Sequence, residues 1–364
     1  MKHLDEFRNS KHITAIVSQI HSISQIIGGQ VNLMEVCGTH TMAIGRAGIR
    51  KMLPENINLI SGPGCPVCVT PNSYIDGAIK IAKADKTRIV TFGDMYRVPS
   101  GNGSLEKAAA QGARIDIVYS PLDGLEIAKA NPHQDVIFLA VGFETTAPLT
   151  ARIIRYAQDQ KINNFSVFSC HKLIPPAMEA LVNDLNHTIH GFICPGHVSV
   201  IIGSRPYEIF PREYGIGCVI SGFEITDILH SILILLEMIA GKRKVSVEIQ
   251  YSRCVQRDGN TLALNLMKDV FDVVDAEWRG IGVIKSSGLE VTEKYSKYNS
   301  ACRFEIDKKG LSDKKGCICG QILKGLKKPY NCRLFAKQCT PEHPVGPCMV
   351  SSEGTCAAYY AYER

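Results

Sequence analysis

The stretch "DVIFLAVGFETTAPLTARIIRYAQ", residues 135–158, changes character halfway. After Asp135, residues 136–141 form an unbroken apolar run, as a strand buried on both faces does. A turn with Gly142, Glu144 and two threonines follows, and Pro148 then opens a segment with helical spacing. Strand, polar turn and helix in that order make one unit of an α/β protein with parallel strands. Working outward, the same unit recurs from residue 30 to 222. The other apolar runs are "VNLMEV" (31–36), "NLIS" (58–61), "RIVTF" (88–92), "DIVY" (116–119), "FSVFS" (165–169), "HGFIC" (190–194) and "GCVIS" (217–221). Thr70-Pro71 and Pro175-Pro176 supply further helix starts. The eight runs fall into two groups of four, and "EVCGTHT" in the first resembles "AVGFETT" in the second. A duplicated α/β half around a cleft is expected, with domains at 31–130 and 131–240.

Outside this region the pattern differs. "ITAIVSQIHSISQII" is a helix ahead of the first strand. "KRKVSVEIQYSRCV" alternates like an exposed or edge strand, and the last sixty residues are loop-rich. Residues 1–30 with 241–364 are read as a third domain.

Composition narrows the class. The 364 residues are 45% hydrophobic and 21% charged, which describes a globular chain rather than a disordered one. The N-terminus has no apolar signal region, and "ILHSILILLEMIAG" (228–241) is too short and too interrupted to span a bilayer. A cytoplasmic protein is expected, with no membrane partner. The net charge of +6 is concentrated between Arg303 and Lys337, where ten basic residues face three acidic ones. No DNA-binding motif or aromatic stripe accompanies it, so no nucleic-acid partner is expected. No P-loop, dinucleotide fingerprint or radical-SAM cysteine triplet is present.

Fourteen cysteines remain to be explained, and in the cytosol such clusters bind metal or do redox chemistry. Six lie in the last 48 residues: Cys317, Cys319, Cys332, Cys339, Cys348 and Cys356. Four thiolates in a loop-rich region suit zinc or a [4Fe–4S] cluster, and spacing alone does not choose. Cys65 and Cys68, in "SGPGCPVCVTP" (61–71), precede a helix N-terminus, which favours thiolate. Pro63 and Pro66 stiffen that loop. A reactive dithiol or a metal site is expected rather than a structural clip. Cys37 and His40 share one turn after a strand and could offer sulfur and nitrogen to a metal. Asp94, Glu144, Cys170, His171, Cys194 and His197 also fall at strand ends, where α/β proteins gather their chemistry. Glu144, His171 and His197 suggest a shared polar cleft.

Taken together, "MEVCGTHT", "SGPGCPVCVTP", "TFGDMYRVP", "VGFETTAP", "SCHKLIPPAM", "GFICPGHVS" and "CICGQILKG…CRLFAKQCTPEHPVGPCMVSSEGTC" resemble the HypD family of [NiFe]-hydrogenase maturation proteins. The resemblance runs from about residue 34 to the C-terminus. It implies two α/β domains around a cleft and a third domain holding a [4Fe–4S] cluster. It implies Cys317, Cys332, Cys339 and Cys356 as cluster ligands, with Cys319 and Cys348 as a redox pair beside them. It further implies a scaffold and redox protein that assembles Fe(CN)2CO with HypC, and with HypE as the route for cyanide, for delivery to the hydrogenase large-subunit precursor. Cys37 would then be the iron-side thiolate with His40 beside it, and Cys65 and Cys68 a redox dithiol. Glu144 and His197 would serve the cleft. A scaffold with redox activity is expected rather than a turnover enzyme. The alternative is a stand-alone iron–sulfur-dependent thiol–disulfide oxidoreductase.

Overall fold

A computed structural model describes residues 10–306 and 316–363. All eight expected strands are present: β1 Val31–Glu35, β2 Ile57–Ser61, β3 Thr87–Thr91, β4 Ile115–Ile117, β5 Asp135–Gly142, β6 Phe165–Lys172, β7 Gly191–Pro195 and β8 Gly217–Ser221. Three more follow: β9 Val247–Ile249, β10 Phe271–Trp278 and β11 Gly282–Val291. They build two sheets, ordered β2-β1-β7-β8-β9 and β10-β11-β6-β5-β3-β4. The first sheet is parallel throughout. The second is parallel from β6 to β4, and the β10–β11 hairpin adds to β6 antiparallel.

The strands do not sort at residue 130. β1 and β2 pair with β7, while β3 and β4 pair with β5. Each sheet therefore takes strands from both halves of the chain, and the chain crosses between sheets after β2, after β6 and after β9. Nor do residues 241–306 stand apart. β9 is the edge strand of the first sheet, as its alternation suggested, and the hairpin extends the second. Residues 316–363 are the loop-rich part among the described residues. Part of the basic segment, residues 307–315, lies outside the described residues.

Alternation along the strands explains the layering. Ile137, Leu139 and Val141 of β5 face a central core, together with Met34 of β1 and Phe192 of β7. Val136, Phe138 and Ala140 face the opposite way, onto the helix Ala147–Asp159. Val31 and Leu33 face the helices Ser10–Ile27 and Ile225–Ile239 through Ile20, Leu229 and Leu236. Each such buried aliphatic side chain contributes roughly 1.5–3 kcal/mol. The apolar segment 228–241 is thus a core helix. Among the described residues no helix is long and apolar enough to cross a membrane.

The layering also places the site. In the first sheet the strand order reverses between β1 and β7, and in the second between β3 and β5. Ligands of open α/β sheets bind at such switch points, beyond the carboxyl ends of the strands.

Candidate functional site

Both switch points open into one cleft of about 710 Å3. Cys37 follows β1, His197 follows β7, Asp94 follows β3, and Gly142, Thr145 and Thr146 follow β5. The C-terminal region adds Ser351 and Glu353 to the wall.

Cys37 N-caps the helix Gly38–Arg46. Its backbone N–H donates to Glu35 Oε2 at 3.0 Å, and Thr41 Oγ1 donates to Glu35 Oε1. Glu35 is fully buried, and that burial raises its carboxyl to about 7. A carboxyl beneath a strand end thus anchors the cysteine turn. Burial also pushes the Cys37 thiol up to about 12, so it stays protonated near neutrality. Gly64 presses on this turn: a Cβ there would lie 2.2 Å from the Cys37 nitrogen.

His40 is buried and does not line the cleft. Its Nε2 lies 2.9 Å from the Gly222 carbonyl oxygen, and its ring packs on Phe223. Burial lowers its pKa to about 4, so the ring is neutral. Nε2–H is then the donor, and Nδ1 is a buried acceptor without a hydrogen-bond partner. Among the described residues no three His, Cys, Asp or Glu side chains converge as a single metal ion would require.

Cys65 and Cys68 are joined as a disulfide, with Cα atoms 5.3 Å apart. Thr70-Pro71 was expected to start the next helix. Instead Cys65 itself caps a single turn, Pro66–Val69, with Thr70 closing it and Pro71 preceding the helix Asn72–Ala82. The sulfur of Cys65 accepts the Cys68 N–H at 3.3 Å. The pair is buried, but Gly64, Pro66 and Val67 of the same loop line the cleft.

On its far side this turn packs on Pro347–Met349, with Cys68 Sγ 4.0 Å from the Pro347 carbonyl oxygen. Cys348 lies next in the chain, and its sulfur is 2.6 Å from that of Cys319. Both sulfurs border a small cavity that Cys317, Cys332, Cys339 and Cys356 also line. Burial, and then Cys319, Cys317, Cys339 and Cys332, push the Cys356 thiol up. The Val345 N–H donates to Cys339 Sγ at 3.3 Å. Gly346 leaves the room that Cys317 takes, since a Cβ would sit 2.6 Å from its sulfur. With Cys319 and Cys348 facing each other, four thiols remain around the cavity. That donor set, with a backbone N–H on one sulfur, fits a cluster that takes one thiolate per iron.

The remaining residues scatter. Glu144 is buried outside the cleft; its Oε1 accepts the Ile174 N–H at 2.9 Å, and Oε2 has no partner. Burial raises this carboxyl to about 7. Cys194 lies in the central core. Cys170 and His171 line a separate cavity. Only His197 of the three expected cleft groups reaches the cleft, stacked on Phe223 with ring centres 4.0 Å apart. Glu35 and Glu353 were not singled out. A lone carboxylate within "LMEV", directly before a cysteine, was a usable signal for the first.

Two interleaved sheets, a thiol at their common cleft and a C-terminal cavity lined by cysteines define an α/β protein with a loop-rich, cysteine-bearing C-terminal region. The model of the HypD family, described as hydrogenase formation hypA family, matches residues 11–363. The hydrogenase maturation factor HypD of Cupriavidus necator is 45% identical over 372 residues, covering all of this chain and 98% of that protein. The hydrogenase expression/formation protein HupD of Azotobacter chroococcum is 44% identical over 371 residues, covering 100% and 97%. HypD of Rhodobacter capsulatus is 42% identical over 371 residues, covering 100% and 98%. The chain belongs to the HypD family and is a hydrogenase maturation factor.

Proposed function

We propose that the protein acts with HypC, and transiently with HypE, as the scaffold and redox partner on which Fe(CN)2CO is assembled for the hydrogenase large-subunit precursor. The observation that carries this reading is the succession of sulfur groups from the C-terminal cavity, through Cys319 and Cys348, to the Cys65–Cys68 loop at the cleft. Cys317, Cys332, Cys339 and Cys356 would hold a [4Fe–4S] cluster, which supplies single electrons when bound. The Cys319/Cys348 dithiol reduces the Cys65–Cys68 disulfide by exchange. One inner thiolate attacks a sulfur of the disulfide, and a mixed disulfide forms. The second inner thiol then resolves it. Two electrons and two protons pass outward, leaving Cys65 and Cys68 as thiols and the inner pair oxidised.

Cys37 receives iron as cargo. Iron carrying cyanide and CO is soft and prefers thiolate. A thiol raised to about 12 does not ionise unaided, so metal binding must displace its proton. His40, neutral and with Nδ1 unpartnered, stands one helical turn away. A HypC cysteine supplies the ligand on the opposite side.

Infrared spectroscopy of the HypC complex tests this. The wild type should carry cyanide and CO bands and Cys37→Ala should lose them. The Cys65→Ala/Cys68→Ala variant should lose them only under oxidising conditions. Unchanged bands in Cys37→Ala would remove the assigned role. Turnover of a small disulfide substrate without HypC would favour a stand-alone oxidoreductase.

A further inference from the structure

A second cavity, of about 380 Å3, lies between the β10–β11 hairpin and the end of β6. The register of the hairpin shifts beside Asp275. Ser286, with φ of 51°, donates its N–H to Asp275 Oδ1 at 2.9 Å and fixes that bulge. Bulges of this kind re-aim side chains, and β11 in turn pairs with β6 at two residues, Gly288 with Lys172 and Leu289 with His171.

The wall formed by β6 carries Lys172. It is only 5% exposed, and its amine has no hydrogen bond or ion pair among the described residues. The Lys172 side chain thus lines the cavity with donors that no described protein group takes up. His171 next to it does not answer the charge. Its ring nitrogens lie 3.3 Å from Ser169 Oγ and 3.5 Å from Thr150 Oγ1, and burial lowers its pKa to about 3.

The facing wall, on β10, carries Asp275 and Glu277. One oxygen of each is engaged: Asp275 Oδ1 by Ser286, and Glu277 Oε2 by Ser73 Oγ at 2.8 Å. No ion pair joins either carboxylate to Lys172. Between the walls the lining is apolar, with Leu289 and the stacked rings of Tyr74 and Phe168, 4.4 Å apart. Glu290 of β11 lines the cavity as a third carboxylate, its Oε1 accepting from Asn299 Nδ2 at 2.9 Å. A simple anion would meet Lys172 but also these three carboxylates, and a simple cation would meet the lysine as well.

We propose that this cavity binds a small zwitterion, with a carboxylate on Lys172, an amine on Asp275 and Glu277, and a short apolar spacer against Tyr74 and Leu289. The volume suits a ligand of that size. The site is separate from the cleft, and the proposal does not depend on the assembly reading.

The probe is 5-aminopentanoate, compared with pentanoate and pentylamine, followed by thermal shift on the full chain. A saturable rise in melting temperature is expected with 5-aminopentanoate, with either single-charge analogue about tenfold weaker, the factor that 1.4 kcal/mol represents. Lys172→Gln and Glu277→Gln, each first melted without ligand, should both lose that preference. Glu277→Gln keeps the test decisive if Lys172→Gln does not fold. Absence of a saturable shift, an equal response to pentanoate, or an unchanged preference in the folded variants would overturn the proposal.

Discussion

Glu144 carries a carboxyl that water does not reach. In the folded protein burial holds its pKa near 7, against 4.5 for an exposed glutamate. The folded state therefore keeps a proton that the unfolded chain releases between those values. Stability conferred by that proton is complete below about 4.5 and declines as pH rises through 7. Such a shift corresponds to at most about 3 kcal/mol. Glu144→Gln keeps an oxygen for the Ile174 N–H and cannot ionise. Melts from pH 4 to 8 should show a shallower loss of stability for the variant than for the wild type. Glu35, also raised to about 7, keeps part of the slope in both. Parallel curves would show that Glu144 does not titrate in this range. At this scale the sequence identified residue types better than their surroundings. Cys37 and His197 lie in the cleft as their strand-end positions suggested, whereas Glu144 and His171 occupy the same kind of position and point elsewhere. Which way a turn residue faces depends on packing partners far away in the chain.

The β10–β11 hairpin braces the sulfur region as an element. Trp278 at its tip is fully buried, donates Nε1–H to Ser287 Oγ at 2.8 Å and stacks on Phe143. The Arg279 N–H donates to the Val69 carbonyl oxygen, the end of the turn that holds the Cys65–Cys68 disulfide. Trp278→Ala should cost about 3–5 kcal/mol in urea melts and Trp278→Phe less. The same variant should let an external dithiol reduce Cys65–Cys68 faster, measured by alkylation and mass spectrometry. An unchanged reduction rate would deny the bracing role. The eight central strands were legible because burial on both faces demands unbroken apolar runs. This hairpin was not, because "FDVVDAEW" mixes polar and apolar residues on a strand only partly covered. A strand of that kind is defined by its neighbour more than by its composition.

For the whole molecule, the governing fact is that the two sheets share the chain. Residues 31–130 contain β1 to β4 but neither β7 nor β5, the strands that hold them into their sheets. That fragment alone should lack cooperative unfolding and a dispersed amide spectrum, and a well-dispersed spectrum would show it to be an independent domain. The sequence did not reveal the sharing. Strand identity is a local property, while strand partnership is settled by contacts between distant residues, and the echo of "EVCGTHT" in "AVGFETT" marks equivalent strand ends rather than consecutive domains.

The same interleaving sets an order of events during synthesis. β1 leaves the ribosome with β2 as its only partner, and β7 cannot join until the chain from Glu35 to Gly191 has been made. At ordinary elongation rates that interval is about 10–30 s. Throughout it one edge of β1 offers unpaired backbone groups to any passing strand. The nascent chain is therefore a natural client for chaperones, and the C-terminal cysteines emerge only after every strand is available to pair. Each thiol of the cavity can then meet a folded scaffold rather than an open chain.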